Sequence, residues 1–477
     1  MTILLATGKL AYPIVKESTD GFDVKIAVSG KIAAFLTPAA LEKIIAENPC
    51  DMVLVSGMCT ADFSSVEEKT KIPVFRGPRH AADLGIVLKS IGKVKLSRTT
   101  PADELISESL KKDALERIES LERDAGFSFE IKGLKFGGNS RMKLLAEIMD
   151  AHKEKDLENK VISFFKSGAD IVDLGFGFDA SPEDVTRAFE SLKGINEEEI
   201  SKKCVLAADT QNPELIKAAL PHVDIILSLH EENIPVIAKD IAGAKKAAVI
   251  VPMENSLENN ILYAKEAGIE KIIADPLLMP VGSGLIKSLS NFKKSEYPLF
   301  FGAGNVTELI DADSPGVNAL LCGMAKEAGA SVIFTSEHSD KTKGAIREMR
   351  RAVEMMTLMT DRPYPKDLGL SLFCIKEKRK RVTPALEYEN VIIAEKMPDD
   401  IEYDPLGNLR IGIEGDYIVA VHKNTAYKGK CWEDVFYTLV KDNKVSLMDH
   451  AAYLGKELYK AELALKFKRS FDQDGPF

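Results

Sequence analysis

Cysteine in any useful spacing, a long apolar run and an excess of basic charge are all missing from this sequence of 477 residues. Cys50, Cys59, Cys204, Cys322, Cys374 and Cys431 are scattered, and no two form a C-x-x-C. Neither a zinc knuckle nor a disulfide framework has a basis there, so reduced thiols in a cytoplasm are expected. No apolar stretch reaches the ~18–20 residues that span a bilayer, and no membrane partner is expected. The opening Met1-Thr2-Ile3-Leu4-Leu5-Ala6 lacks a basic flank and breaks at Gly8, so it reads as a first strand rather than a signal peptide. A net charge of −10 removes the basic face that nucleic acid would need. The histidines never stand at H-x-x-x-H spacing, and no metal site is read from the chain.

What is there is regular. Residues 1–100 alternate short apolar runs (3–6, 22–28, 52–55 and 74–75) with helical or turn patterns, which predicts a small α/β domain. A charged stretch over 101–128, with apolar residues three and four apart, predicts a connector helix. Between 129 and 370, apolar strand candidates recur at 144–148, 171–174, 204–207, 225–229, 247–251, 271–274, 299–301 and 331–334. Helical stretches separate most of them, at 155–166, 182–192, 213–219, 257–266 and 315–328. Three of these open with proline, and Gly168, Gly268 and Gly329 each stand where a helix should close. Eight strands alternating with helices is the (β/α)8 TIM barrel count, and an open doubly wound sheet is the alternative. From 371 to 477 the pattern changes. A basic run at 376–381 reads as a solvated linker; runs at 391–394, 409–413 and 417–421 predict a β-meander, and two helices follow at 432–440 and 447–467. This C-terminal part is expected to be a small α+β domain.

Three places carry polar residues at the ends of apolar runs, where a parallel barrel holds its ligand groups. They are Ala208-Asp209-Thr210, Asp275-Pro276-Leu277-Leu278 and Gly302-Ala303-Gly304-Asn305-Val306. Taken alone, Asp209 reads as readily as a helix-capping aspartate or Asx turn as it does a ligand group, Asp275 reads as Asp-Pro turn chemistry, and the glycine run as a turn or a phosphate loop. Their order, at the third, sixth and seventh strand ends, raises them together. His152 and His230 also fall near predicted strand ends, where they could face the pocket, and Glu147 near the end of the first reads as a solvated glutamate, with a supplied acid as the alternative.

The middle segment resembles the pterin-binding barrel shared by dihydropteroate synthases and tetrahydropterin-dependent methyltransferases. Gly168-Ala169-Asp170-Ile171-Val172-Asp173-Leu174-Gly175 is similar to the G-A-D-I-I-D-x-G second strand, and Asp209-Thr210-Gln211-Asn212-Pro213-Glu214 resembles the D-T-x-x-P turn. Asp224-Ile225-Ile226 and Asp275-Pro276 resemble the fourth- and sixth-strand motifs. The resemblance implies a reduced pterin of tetrahydromethanopterin or folate type as ligand. Asp275 would accept its amino–imide edge, Asp209 would lie nearer the other edge, and Ser228 or Asn233 would replace the usual fourth-strand Asn. Asn305 implies the catalytic amide that sits near N5 in the methyltransferases. The synthases' S-R-K and R-x-H groups are not matched: no Lys or Arg follows Gly304, and His338 is displaced. No D-x-H-x-x-G corrinoid loop occurs, so any corrinoid would arrive on an acceptor protein. The three-part layout, with Tyr403-Asp404-Pro405-Leu406-Gly407-Asn408 opening the C-terminal module, is similar to archaeal dihydropteroate synthase-related proteins.

Three functions are therefore carried forward. The first is condensation of a dihydropterin methyl pyrophosphate with an arylamine, and the second is methyl transfer from N5 of a tetrahydropterin to a corrinoid or other acceptor protein. The third is a non-catalytic pterin-binding or carrier subunit. The resemblance leaves Mg2+ and a homodimer open.

Overall fold

Alternation of side chains along each strand decides the core, and it is cleanest in the middle of the chain. The computed structural model describes residues 1–200, 203–359, 364–366, 368–375, 389–394 and 403–475. The basic run at 376–381 lies outside the described residues. Two compact units are distinguished, Met1–Ala385 and Leu386–Phe477.

The first unit opens with strands β1 (Ile3–Thr7), β2 (Val24–Val28), β3 (Met52–Val55) and β4 (Val74–Arg76). They form a parallel sheet of order β2-β1-β3-β4. Every residue of β1 and β3 is buried, because both faces of a parallel sheet are covered. Leu4, Val53 and Val55 pack on one side, and Ile3, Leu5 and Leu54 on the other. The helix Ala102–Arg123 then leads to the barrel. Its Glu122 accepts hydrogen bonds from the Arg141 amide at 2.7 Å and from the Lys143 ammonium at 2.8 Å.

A hairpin of β5 (Phe129–Ile131) and β6 (Leu134–Phe136) precedes the barrel. Sequence periodicity had shown no strands there, because three residues are too few to display an alternation. Eight parallel strands follow: β7 (Lys143–Ile148), β8 (Ile171–Gly175), β9 (Leu206–Asp209), β10 (Ile225–Leu229), β11 (Ala247–Ile250), β12 (Ile272–Ala274), β13 (Leu299–Phe301) and β14 (Ala330–Ser336). They close into a barrel as β14 pairs with β7, so the TIM barrel is observed and the open sheet is not. Leu145, Ile171, Val205, Ala207, Leu227, Val249 and Ile273 fill the interior. Their neighbours in sequence, such as Leu144, Ala146, Val172, Leu174 and Ala208, pack outward against the helices. Ile131 and the fully buried Phe136 of the hairpin join the interior cluster. Burying one such ring contributes about 2–3 kcal/mol and seals the barrel end opposite the carboxyl termini of the strands.

That sealed end is held by ion pairs. Arg141 donates two hydrogen bonds to Asp170, at 2.8 and 3.0 Å, and the Leu144 amide adds a third at 2.9 Å. Burial works to raise the Asp170 pKa, but Arg141 and Arg350 outweigh it and hold the carboxyl well below its usual range. The Asp170 of the G-A-D motif is thus a structural group. Gly168 ends the helix Leu157–Ser167 at φ +120, where an added Cβ would lie 2.7 Å from Arg350 Cγ.

In the second unit, β15 (Leu409–Glu414), β16 (Tyr417–His422) and β17 (Thr425–Gly429) form an antiparallel meander, followed by helices Trp432–Lys441 and Met448–Phe467. The meander is shifted from its expected membership: residues 391–394 are exposed and form no strand, and Thr425–Gly429 supplies the third. Among the described residues no strand pairs with 391–394, whereas the polar β17 pairs along its whole length with β16. Asp404 pins the start of this module, accepting from the amides of Leu406, Ser446 and Leu447 and from Ser446 Oγ. Among the described residues, no helix is long and apolar enough to cross a membrane. All six cysteines are free.

Candidate functional site

The strand alternation that points Leu145, Ile171, Val205 and Ile273 into the barrel carries on, two residues later, to Glu147, Asp173, Ala207 and Asp275. One more step along β9 reaches Asp209. Four carboxylates therefore converge at the open, carboxyl-terminal end of the barrel. Glu147 pairs with Asp173 in the β7–β8 register, and Gly175 pairs with Asp209 in the β8–β9 register.

Their environments differ. Asp275 is buried, and burial first, with the Asp209 charge adding to it, pushes its pKa up to about 7 against a hydrogen bond from the Leu277 amide at 2.8 Å. That bond makes Asp275-Pro276-Leu277 an Asx turn, and Leu277 takes a left-handed φ of +61 to complete it. The turn reading and the inward-facing reading of Asp275 are both observed. Asp209 is raised by burial, offset by a hydrogen bond from Ser228. It does not cap the next helix: Asn212 does that, accepting from the Glu214 amide at 2.9 Å. Glu147 is half-buried rather than solvated, and burial, with Asp209, Glu308 and Asp150 nearby, pushes it up to about 8. Asp173 is fully buried, and burial, Asp209 and Glu147 raise it well above its usual range. Among the described residues neither of its oxygens has a hydrogen-bond partner.

Ser228 sits at the end of β10 with a left-handed φ of +67, a conformation that a serine adopts only when its surroundings impose it. Asn233 imposes it. Its amide donates to the Ser228 carbonyl at 3.2 Å and the Gln211 carbonyl at 3.4 Å, while its oxygen accepts from the His230 amide at 2.9 Å. Of the two candidates for the fourth strand, Ser228 touches Asp209 and Asn233 braces the loop. The His230 ring is buried, with Nε2 unpartnered among the described residues.

Asn305 lies in the short helix Gly304–Thr307 and is exposed, with its amide reaching the Leu278 carbonyl at 3.5 Å. The flanking glycines are explained by packing. A Cβ at Gly304 would stand 2.5 Å from Phe334 Cε1, and one at Gly302 would stand 2.9 Å from Asn305 Nδ2. Glu308, one turn on, accepts from Ser336, Ser339, Thr342 and the His338 amide. Burial opposes that ionisation, but these bonds outweigh it and keep the carboxyl below its usual range. His338 itself is exposed.

Sequence reasoning had named Asp209, Asp275, Asn305 and Ser228 and had passed over Asp173, although it stands inside the quoted second-strand motif. The available signal was its parity with Ile171.

Three comparisons with known proteins bear on the chain. A family model described as PterinBD-DUF4346 matches residues 403–474. An uncharacterized protein of Methanocaldococcus jannaschii is 36% identical over 522 residues, covering 99% of this chain and 98% of that protein. Among solved structures the chain is similar to the dihydropteroate synthase of Thermus thermophilus in complex with 4-aminobenzoate, at 17% identity and a TM-score of 0.36, covering 46% of this chain and 94% of that one. It is also similar to a truncated 3-deoxy-D-arabino-heptulosonate 7-phosphate synthase of Thermotoga maritima, at 15% identity and a TM-score of 0.36, covering 51% and 93%. By its identity over nearly all of both sequences, the chain belongs to one family with the Methanocaldococcus protein.

Proposed function

We propose that the open end of the barrel binds a reduced pterin of tetrahydromethanopterin or folate type, and that the protein is a transferase of the dihydropteroate synthase kind. The observation that carries this reading is Asp275, an inward carboxylate at a strand end, buried beside a second one, Asp209. A pterin offers a 2-amino group and N3–H side by side, and one carboxylate accepts both. One Asp275 oxygen already accepts from Leu277, but each oxygen has two lone pairs, so both remain usable. Asp209, oriented by Ser228, would meet the far edge of the ring. In the first reading the pterin carries a methylene pyrophosphate. An arylamine nitrogen forms the new C–N bond as the methylene C–O bond breaks and the pyrophosphate leaves with the bonding pair, and the nitrogen gives up one proton to solvent.

A second reading, methyl transfer from N5, is favoured by one observation. Asn305 is an exposed amide at the seventh strand end, in a place where the sequence supplies no Lys or Arg. An amide there would stabilise a proton at N5 and improve the leaving group. One assay separates these readings. The protein is given the dihydropterin pyrophosphate with an arylamine, and separately a methyl-tetrahydropterin with a corrinoid acceptor protein. Pyrophosphate release supports the first and methyl loss only with acceptor supports the second. Pterin binding without either turnover leaves a carrier. Absence of pterin binding refutes the site itself.

A further inference from the structure

We propose that the N-terminal sheet carries a ligand site of its own, for a small monocarboxylate with a short apolar body, at the carboxyl ends of β3 and β4. Ligands of open parallel sheets sit outside the carboxyl ends of the strands. Val55 and Arg76 pair there in the β3–β4 register, and the Gly77 amide donates to the Val55 carbonyl at 2.7 Å. Beside them lies a cavity of about 290 Å3. Val55, Phe63 and Val74 give it an apolar wall, and Thr60, Arg76 and Arg98 give it hydrogen-bond donors.

Arg76 supplies the independent reason. It is only 6% exposed, and its two hydrogen bonds go to neutral carbonyls: Nε to Arg98 at 3.1 Å and Nη2 to Ala61 at 2.8 Å. The Phe63 ring, 5.7 Å from the guanidinium carbon, holds the group from one side. Nη1 is buried and has no acceptor among the described residues. A buried cation without an anion is costly, and Arg141 shows the ordinary remedy in its two bonds to Asp170. The acids near Arg76 are engaged elsewhere. Glu67 accepts from the Val74 amide at 2.6 Å and from Arg98 Nε at 2.7 Å. Asp62 accepts from the Ser64 amide and hydroxyl at 2.9 and 2.6 Å, and it is exposed, so water screens its charge. Setting Glu67 against Arg98 leaves the Arg76 charge to be matched by one negative charge. A carboxylate carries that charge on two oxygens in the plane a guanidinium prefers, whereas a phosphate near neutral pH carries more. One oxygen would give Nη1 its acceptor, and Thr60 and Arg98 line the same cavity and can donate to the other.

This site shares no residue with the barrel mouth, so its test leaves the pterin reading untouched. Full-length protein is titrated with isobutyrate, and separately with acetate, at constant ionic strength. Saturation-transfer NMR follows the methyl protons of each. Isobutyrate should bind, and acetate should bind about tenfold more weakly, because it lacks two carbons to set against the apolar wall. Inorganic phosphate at about 20 mM should fail to displace isobutyrate. Arg76→Gln should weaken isobutyrate binding by about tenfold or more, the loss of a hydrogen bond to a charged group. Should Arg76→Gln fail to fold, the exposed Arg98→Gln gives the same readout, with a loss of about threefold or more, since it also leaves Glu67 unpaired. Transfer that is absent at about 20 mM isobutyrate, or unchanged in the folded variants, overturns the site. Displacement by phosphate overturns its assignment to a carboxylate.

Discussion

Glu147 and Asp173 face each other across the paired strands β7 and β8, two inward carboxyls whose perturbing charges are all acidic. Such a pair makes the fold sensitive to pH in a definite direction. The folded-state pKa of Glu147, about 8, lies above its ordinary value, so between about pH 4.5 and about pH 8 the folded state binds the proton that the unfolded chain has lost. Stability should therefore fall as pH rises through that window and level off above it. Melting temperatures of the protein across the window check this. Glu147→Gln should flatten the slope, and a slope unchanged by the substitution would contradict the assignment.

Asp275 gives a second pH effect, on binding. It must be ionised to accept two N–H groups, and its pKa in the free protein is about 7. Pterin affinity should rise from about pH 6 to about pH 7.5, by up to about tenfold per unit on the acid side. Asp275→Asn should cost about 1–3 kcal/mol of binding and abolish that rise, because an amide can accept at only one of its two heavy atoms. Calorimetry with a tetrahydropterin at several pH values reads both. Affinity that stays flat in the wild-type protein would remove Asp275 from the contact.

These groups differ in how far the sequence revealed them. Asp209 and Asp275 were legible because each ends an apolar run and begins a turn. The barrel was legible because eight such runs recur with glycine-closed helices between them. Asp173 was legible only through its parity with Ile171; that it faces Glu147 depends on the register with another strand, which no local pattern encodes. Asn233 was one of two candidates for the fourth strand, and its contacts are with backbone, set by which carbonyls lie within its reach. The glycines around Asn305 looked like a phosphate loop. The ring of Phe334, which explains Gly304, is contributed by the next strand.

Gly304→Ala tests that explanation. Its Cβ would lie 2.5 Å from Phe334 Cε1 and 2.8 Å from Cδ1, so the ring or the short helix must move. Overpacking of this kind costs about 1–3 kcal/mol, and a chemical-denaturation midpoint should show the loss. Pairing it with Phe334→Leu should recover part of the stability. If the alanine alone is neutral, the close approach is not what selects glycine here.

Asn233→Ala separates bracing from ligation. The side chain fills both roles of its amide with backbone partners: two carbonyls, of Gln211 and Ser228, and the His230 amide. Removing it takes the partner from the buried His230 amide and frees Ser228 from its left-handed conformation, at a cost of about 1–3 kcal/mol of folding stability. Asp209 would lose its oriented hydroxyl, so pterin affinity should fall along with stability. Ser228→Ala removes the hydroxyl alone. It should lower affinity while leaving the melting temperature within about 2–4 °C of wild type, since a half-buried hydroxyl bond contributes only about 1 kcal/mol. A loss of affinity in Asn233→Ala that survives without any loss of stability would mean that Asn233 touches the ligand directly.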